Sequence, residues 1–390
     1  MGTQQTYSGN AAPGPPGKPP RHRLRRILLV LLAVAVLIPA AGGAFLFSLG
    51  RNFDSQSTTI ENPFPDESLR PLPNARPAQP LAGGAPGDVT GAAPGSGPAA
   101  GGTTAEGGTP AGGPAAAGAL NILVMGSDSR GATPGEALSG TNSNQRADTL
   151  MLVHIPADRS RIYAVSLMRD LWVGIPGYGT AKINAALAYG GVPLMVQTVE
   201  SLFHQRIDHV AMIDFEGFKD LTDALDGVEV TITQPFVSLH GKFTFTEGPA
   251  VLDGEHALAF VRERYAFIDG DYQRVRNQQA FVKALLAKNL SAGTLLNPFK
   301  VSEALSAISP FISVDSGLNA AALARLALEL RGVGPGDLVF FTLPTTGTGT
   351  SSDGQSIVLP DWDAVAAMGQ ALAGDSLDTF VANRGLAGGD

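Results

Sequence analysis

The sequence predicts an α/β fold: a three-layer α/β/α sandwich with a central mixed sheet, preceded by a single transmembrane helix. Three observations predict it. Beyond residue 119, short β-branched apolar runs alternate with segments of helical spacing, which implies a sheet covered on both faces. Two of those runs lie close enough in sequence to form a hairpin. Ahead of them, residues 27–49 carry no charge. At about 1.5 Å per residue that run crosses a bilayer core of about 30 Å.

Residues 1–26 form a tail with no hydrophobic periodicity, too polar and too rich in Gly and Pro to bury a core, and are expected to be disordered. Lys18, Arg21, Arg23, Arg25 and Arg26 lie in this tail and no acid does. Under the positive-inside rule the tail stays cytoplasmic and the rest of the chain faces outward. A cleaved signal peptide competes, because residues 39–44 are mostly small; the long leader and the continued apolar run favour an uncleaved anchor. Both readings put the bulk of the chain outside. Residues 50–118 read as a linker: prolines 63, 65, 71 and 73 interrupt any helix, and 78–118 is almost wholly Ala, Gly, Pro, Thr and Ser, the composition of a flexible tether. One folded domain is expected over 119–381, followed by a flexible end at 382–390.

Within that domain, Asn121-Ile-Leu-Val-Met125 is a buried strand ending at Gly126. Residues 149–155 and 161–168 are the hairpin strands, joined by the polar turn 156–160. Helices follow over 182–189 and 194–203. Asp214 can cap another that runs to Leu225 and stops at Gly227. Residues 228–232 return to strand, 272–286 form a helix with an apolar face, and 337–343 are a late strand. Leu343-Pro-Thr-Thr-Gly347 reads as this strand leaving the sheet into a turn.

Composition excludes several functions. The chain has no Cys, so disulfide frameworks, thiolate metal sites and cysteine nucleophiles are ruled out. Net charge is −8 even with the basic tail included, which argues against a nucleic-acid partner. Arginine clusters inside such a chain are therefore informative. Three strand ends carry Arg and Asp together: Asp128 with Arg130, Arg146 with Asp148, and Arg169 with Asp170. A second group lies later, with Arg262, Arg264, Asp271, Arg274 and Gln278. Arg274 and Gln278 share a helix face at i and i+4. Guanidinium forks suit phosphate, and paired Asp oxygens are the hard ligands that Mg²⁺ takes. A diphosphate is the natural ligand of such a set; a ligand-free network of Arg–Asp bridges is the alternative. His154, His204 and His209 lack metal-ligand spacing and read as satisfied or exposed side chains.

From Asn121 to about Leu286 the sequence resembles the LytR-CpsA-Psr family of cell-wall glycopolymer ligases, more loosely to about Val381. The matching stretches are Asn121-Ile-Leu-Val-Met-Gly-Ser-Asp-Ser-Arg130, Arg146-Ala-Asp-Thr-Leu-Met-Leu152, Ser166-Leu-Met-Arg-Asp170, Gly177-Tyr-Gly-Thr-Ala-Lys-Ile-Asn184, Leu252-Asp-Gly-Glu-His-Ala-Leu-Ala-Phe-Val-Arg-Glu-Arg264 and Gly270-Asp-Tyr-Gln-Arg274. The resemblance implies transfer of a glycopolymer from a polyprenyl-pyrophosphate carrier in the membrane to a peptidoglycan hydroxyl, with polyprenyl phosphate released. It implies that Asp128 and Asp148 hold Mg²⁺ (or Mn²⁺), and that Arg146, Arg169, Arg262, Arg264, Arg274 and Gln278 bind the pyrophosphate. Asp271 would position arginines or assist the acceptor hydroxyl. Asn277 and Met168 depart from the family pattern, which bears on substrate fit. The helices over 182–203 and 272–286 offer apolar side chains that could line a slot for the prenyl chain. The rival functions are a membrane-tethered regulator or glycan-binding protein, and a hydrolase of lipid pyrophosphates.

Overall fold

The apolar run at 120–127 becomes a strand in the middle of a seven-stranded sheet. The computed structural model describes residues 53, 55–72, 118–128, 146–289 and 306–386. In chain order its elements begin with β1 (Thr58–Ile60), β2 (Leu120–Ser127), β3 (Ala147–Ile155), β4 (Ile162–Ser166), β5 (Trp172–Ile175), β6 (Gly179–Lys182) and α1 (Ala185–Phe203). Then come β7 (His209–Asp214), α2 (Phe215–Ala224), β8 (Val228–Ile232), β9 (Phe236–Val237), β10 (Thr244–Phe245), β11 (Gly248–Leu252), α3 (Gly254–Arg262) and α4 (Asp271–Asn289). The chain closes with β12 (Ser313–Asp315), α5 (Ala320–Glu329), β13 (Leu338–Thr342), β14 (Thr345–Thr350), β15 (Ser356–Pro360), α6 (Trp362–Ala373) and α7 (Leu377–Arg384).

The sheet order is β1-β12-β7-β2-β3-β4-β13. It is mixed: β2 runs parallel to β7 and antiparallel to β3, β3 is antiparallel to β4, and β4 is parallel to β13. Strand side chains alternate between faces, and here both faces are apolar. Leu123 and Met125 pack with α1, α6 and α7 on one side. Ile122 and Val124 pack with α4 and α5 on the other. A smaller cluster joins α3 to β8, β11 and Phe281 of α4. Each fully buried Leu or Phe in these layers contributes about 1.5–3 kcal/mol of transfer free energy.

Several sequence expectations are corrected. The stretch 50–118 is not wholly linker. β1 is the edge of the main sheet, parallel to β12, and Phe53 and Ile60 are buried. Arg70 locks this segment down by donating through Nη2 to buried Glu200 and to the Ile207 carbonyl, both at 2.6 Å. The tether composition thus lies between two strands of one sheet; residues 73–117, like the tail and the apolar run at 27–49, fall outside the described residues. Among the described residues no helix is long and apolar enough to cross a membrane. At the other end, α7 runs to Arg384 and Leu386 is buried, so the fold continues past 381.

The helices expected at 182–189 and 194–203 merge into α1, kinked where Gly190 and Gly191 leave helical geometry ahead of Pro193; Lys182 belongs to β6. Gly191 takes φ +65°, open to glycine without a Cβ clash. Asp214 caps α2 by accepting from Gly217 N at 2.7 Å. The turn expected after Leu343 is instead β14, paired antiparallel with β15.

Candidate functional site

Backbone geometry first brings the arginines together. β2 and β4 end, and β3 begins, at one edge of the sheet, as their antiparallel registers require: Ser127 lies opposite Ala147, and Met151 opposite Ser166. Asp128, Arg146 and Asp148, and Arg169 therefore share that rim. Arg262 is the last residue of α3, Arg264 follows it, and Arg274 and Gln278 lie on the first turns of α4. A cavity of about 530 Å³ is lined by all eight of these side chains. Its wall carries five arginines against Asp128, Asp148 and Asp214, so the lining has an excess of positive charge. Most of the remainder is apolar, including Val124 and Met212 from the sheet, Phe218 and Leu221 from α2, Phe281 and Leu285 from α4, and Ile308 and Ile312 ahead of β12; Thr149, His240 and Tyr265 add polar atoms.

α4 corrects the expectation of a simply apolar helix face. Gln273, Arg274, Asn277, Gln278 and Gln279 are all buried. Each amide finds a partner: Asn277 Nδ2 donates to the Phe260 carbonyl at 3.1 Å, Gln278 Nε2 to the Val261 carbonyl at 3.2 Å, and Gln279 Nε2 to Ser166 Oγ at 3.0 Å. These bonds tie α4 to α3 and to β4. Asn277 and Met168 do not line the cavity, so their departure from the family pattern falls on packing. Nor does α1 line it; α1 packs on the opposite face of the sheet, and of the two helices expected along an apolar slot only α4 contributes.

The arginines are held by carboxylates. Arg169 Nη1 donates to Asp148 Oδ1 at 2.6 Å, and Arg274 Nη1 lies 3.0 Å from Asp271 Oδ1. Arg264 Nη1 lies 3.4 Å from Asp271 and 3.9 Å from Asp170. Lys182 Nζ closes the chain at 3.1 Å from Asp170 Oδ1. Asp271 does not line the cavity, which fits the positioning of arginines and not contact with a bound hydroxyl. Sequence reasoning singles out Asp170 as the partner of Arg169 at a strand end but gives Lys182 no role in the site; its presence in a matched motif is the only signal.

Charge and burial set the proton positions. Burial works against the charge of Arg169, but Asp148, Asp170 and Asp271 outweigh it and hold this guanidinium above its ordinary pKa. Arg274 is 3% exposed, and burial together with neighbouring Arg169 pushes it down to about 10, still charged at neutral pH. Burial and the hydrogen bond to Asp170 raise Asp271 against the pull of Arg274. Burial also disfavours the charge of Asp170, yet the hydrogen bond from Asp271 and the charges of Arg169 and Lys182 bring it below the usual range. Of the pair, Asp271 is therefore the first to take up a proton. Nε of Arg274 and of Arg169 are buried without a hydrogen-bond acceptor, an unmet capacity beside the cavity.

Sequence does not reveal Glu263. This 1% exposed carboxylate accepts backbone N–H bonds from Arg264, Tyr265 and Ala266 through Oε1, and from Leu239 through Oε2. It fixes the turn that carries Arg264. Arg262 is steadied differently, lying 4.2 Å over the Phe215 ring. His154 and His209 are satisfied as expected, by Asn121 and Asp375 and by Asp315. Among the described residues, no group of three or more His, Cys, Asp or Glu could hold a metal. The carboxylates on the rim, Asp128 and Asp148, suit a hard cation that takes its other ligands from water and phosphate.

Comparison with known proteins places the chain in a family. The cell wall biosynthesis protein LcpA of Corynebacterium glutamicum is 31% identical over 295 residues, 66% of this chain and 56% of LcpA. The polyisoprenyl-teichoic acid–peptidoglycan teichoic acid transferase TagU of Enterococcus faecalis is 35% identical over 187 residues, 48% of this chain and 59% of TagU. The match thus spans little more than half the length of either relative. The crystal structure of B. subtilis TagV superposes with a TM-score of 0.57 at 24% identity, covering 67% of this chain and 98% of TagV, and shares the fold. The profile of the LytR_cpsA_psr family matches residues 103–373, and the chain belongs to that family.

Proposed function

We propose that this protein is a phosphotransferase of cell wall assembly, moving a glycopolymer from a polyprenyl-pyrophosphate carrier to a peptidoglycan hydroxyl. One observation carries the reading: a cavity lined both by five arginines and by a set of apolar side chains. A diphosphate joined to a long hydrocarbon has that same division of chemistry. The name of TagU, a polyisoprenyl-teichoic acid–peptidoglycan transferase, supports the substrate class.

In this reading the acceptor hydroxyl oxygen forms a bond to the phosphorus that bears the glycan. The bridging P–O bond to the lipid phosphate breaks, and the hydroxyl proton leaves to solvent. Phosphoryl transfer of this kind needs positioned positive charge more than a nucleophilic side chain. Arg169, Arg264 and Arg274 would hold the non-bridging oxygens, with Arg146, Arg262 and Gln278 completing the grip. Asp128 and Asp148 would hold Mg²⁺ (or Mn²⁺), which when bound adds charge neutralisation to that of the arginines. The substrate's own pyrophosphate link supplies the driving force, so no nucleotide is required. Residues 27–49 would anchor the protein in the cell membrane by a single pass, N-terminus inside and catalytic domain outside.

The test uses the full-length chain in detergent with Mg²⁺, a polyprenyl-pyrophosphate-linked glycan and a peptidoglycan oligomer. A phosphodiester-linked conjugate is expected by mass spectrometry. Release of lipid phosphate without conjugate would make the protein a hydrolase, and tight glycan binding with neither product would make it a binding module.

A further inference from the structure

The elements around the cavity follow one another across the sheet. Ile308 and Ile312, two of its apolar lining residues, lie in the segment that leads into β12, near one edge of the sheet. The arginine rim lies at the ends of β2, β3 and β4. Beyond β4 the chain leads at once into the β5–β6 hairpin, whose stem is bound to the rim. Asn184 N donates to the Arg169 carbonyl at 3.2 Å, Ile183 N to the Leu171 carbonyl at 2.8 Å, and Lys182 reaches Asp170.

At the tip of that hairpin two large aromatic side chains stand in solvent. Tyr178 is 55% exposed and Tyr189, from α1, 45%. Their rings stack with centroids 4.9 Å apart and planes 17° from parallel, and Tyr178 Oη donates to the Tyr189 carbonyl at 3.1 Å. Gly177 and Gly179, at φ +80° and +79°, flank Tyr178 in a backbone conformation that side chains resist, so the turn is built to present this residue. Tyr189 lies about 8 Å along the helix axis from Asn184, on the 1.5 Å rise per residue, and Asn184 is the residue bonded to the Arg169 carbonyl.

We infer that Tyr178 and Tyr189 form a platform for the sugar rings of the acceptor, the glycan strand of peptidoglycan. Pyranose rings present C–H faces that pack on aromatic faces, while a tyrosine hydroxyl meets the wet edge. The choice of acceptor over donor comes from geometry. Phosphoryl transfer keeps attacking and leaving oxygens roughly in line. If the lipid phosphate leaves toward Ile308 and Ile312, on the β12 side, the hydroxyl arrives from the β4 side of the sheet order, the side from which the hairpin extends. This inference rests on the transfer reading above.

The test measures KM for the peptidoglycan glycan oligomer and for the lipid-linked donor in the full-length chain, for Tyr178→Ala, Tyr189→Ala and the corresponding Phe variants. Both Ala variants should raise acceptor KM about tenfold, equivalent to about 1.4 kcal/mol, with donor KM within about twofold of wild type. The Phe variants keep a ring and should stay close to wild type. Unchanged acceptor KM in the Ala variants would overturn the platform, as would a rise confined to donor KM, which would assign the rings to the donor glycan. Equal rises in both constants with a lowered melting temperature would make the pair a staple of the hairpin and overturn it too. Wild-type cleavage of the donor, scored alongside, keeps these outcomes separate from failure of the transfer reading itself.

Discussion

Replacing Arg274 with Met separates binding from folding. Arg274 is 3% exposed, and burial and Arg169 together lower its pKa to about 10 despite the attraction of Asp271 and Asp148. Against an ordinary arginine, that is a cost to the charged form on the order of 3 kcal/mol. The folded-state value is depressed, so the cost is present in full at every pH well below 10, neutrality included. Met fills most of the same aliphatic volume and removes the cost. Asp271 loses its closest cation, but burial and Asp170 already favour its protonated form, so it takes up a proton and returns only part of the gain. The variant should be about 1–3 kcal/mol more stable, with Tm higher by about 2–4 °C per kcal/mol. Thermal melts of the full-length chain followed by circular dichroism, with and without inorganic pyrophosphate, check this. Wild type gains about 2.7 kcal/mol when ligand exceeds Kd a hundredfold, and the variant should gain less than half as much. A variant that melts below wild type yet gains the same from pyrophosphate would make Arg274 a structural strut and refute the reasoning.

Glu263→Gln removes a charged acceptor of four backbone N–H groups, and should cost about 2–3 kcal/mol in urea denaturation while lowering turnover through the displaced Arg264 turn. Glu200→Gln leaves the largely covered guanidinium of Arg70 without its buried carboxylate, a loss of about 2–4 kcal/mol; limited proteolysis should then cut first within 55–72. The hydrogen bond to Asp315 raises His209 against burial, so this pair's contribution is complete below about pH 6.5 and is lost as pH rises through the folded-state value. His209→Gln should flatten that part of the decline in urea midpoint between pH 6 and 8.

What can be read in the sequence is whatever a local pattern encodes. Strand ends are visible because apolar runs stop, and Arg with Asp at three of them marks the rim from the letters alone. Asp214 announces its helix because an N-cap acts on the residues immediately after it. β1 is hidden because three residues, Thr58–Ile60, have no periodicity of their own; only pairing with β12, more than two hundred positions away, makes them a strand. The same limit hides Glu263, whose letter beside two arginines looks like an exposed ion pair until Leu239 closes over it. α4 misleads in the opposite direction. Its polar residues Gln273, Asn277 and Gln279 suggest a solvated face, yet each is buried with a partner supplied by α4 itself or by a distant element.

Five guanidinium groups around one cavity repel one another, and how that repulsion is met decides how much positive charge remains for a ligand. Asp170 and Asp271 touch Arg169, Arg264 and Arg274 without lining the cavity. Were both ionised, they would cancel much of the field that a diphosphate needs; whenever Asp271 is protonated they steady the arginines and leave the excess intact. The folded-state pKa of Asp271 is raised, so its protonated form is complete at acid pH and is lost as pH rises through that value. Pyrophosphate affinity should weaken along the same titration. Asp271→Asn imitates the protonated carboxyl in size and can still donate to Asp170, so it should bind pyrophosphate at least as tightly as wild type at alkaline pH. The ratio of the two dissociation constants, measured by calorimetry from pH 5 to 8, cancels the ligand's own titration. A ratio that stays constant across that range, with the variant the weaker binder, would mean that Asp271 serves as an anion, and the arginines would then need its full charge to stay in place.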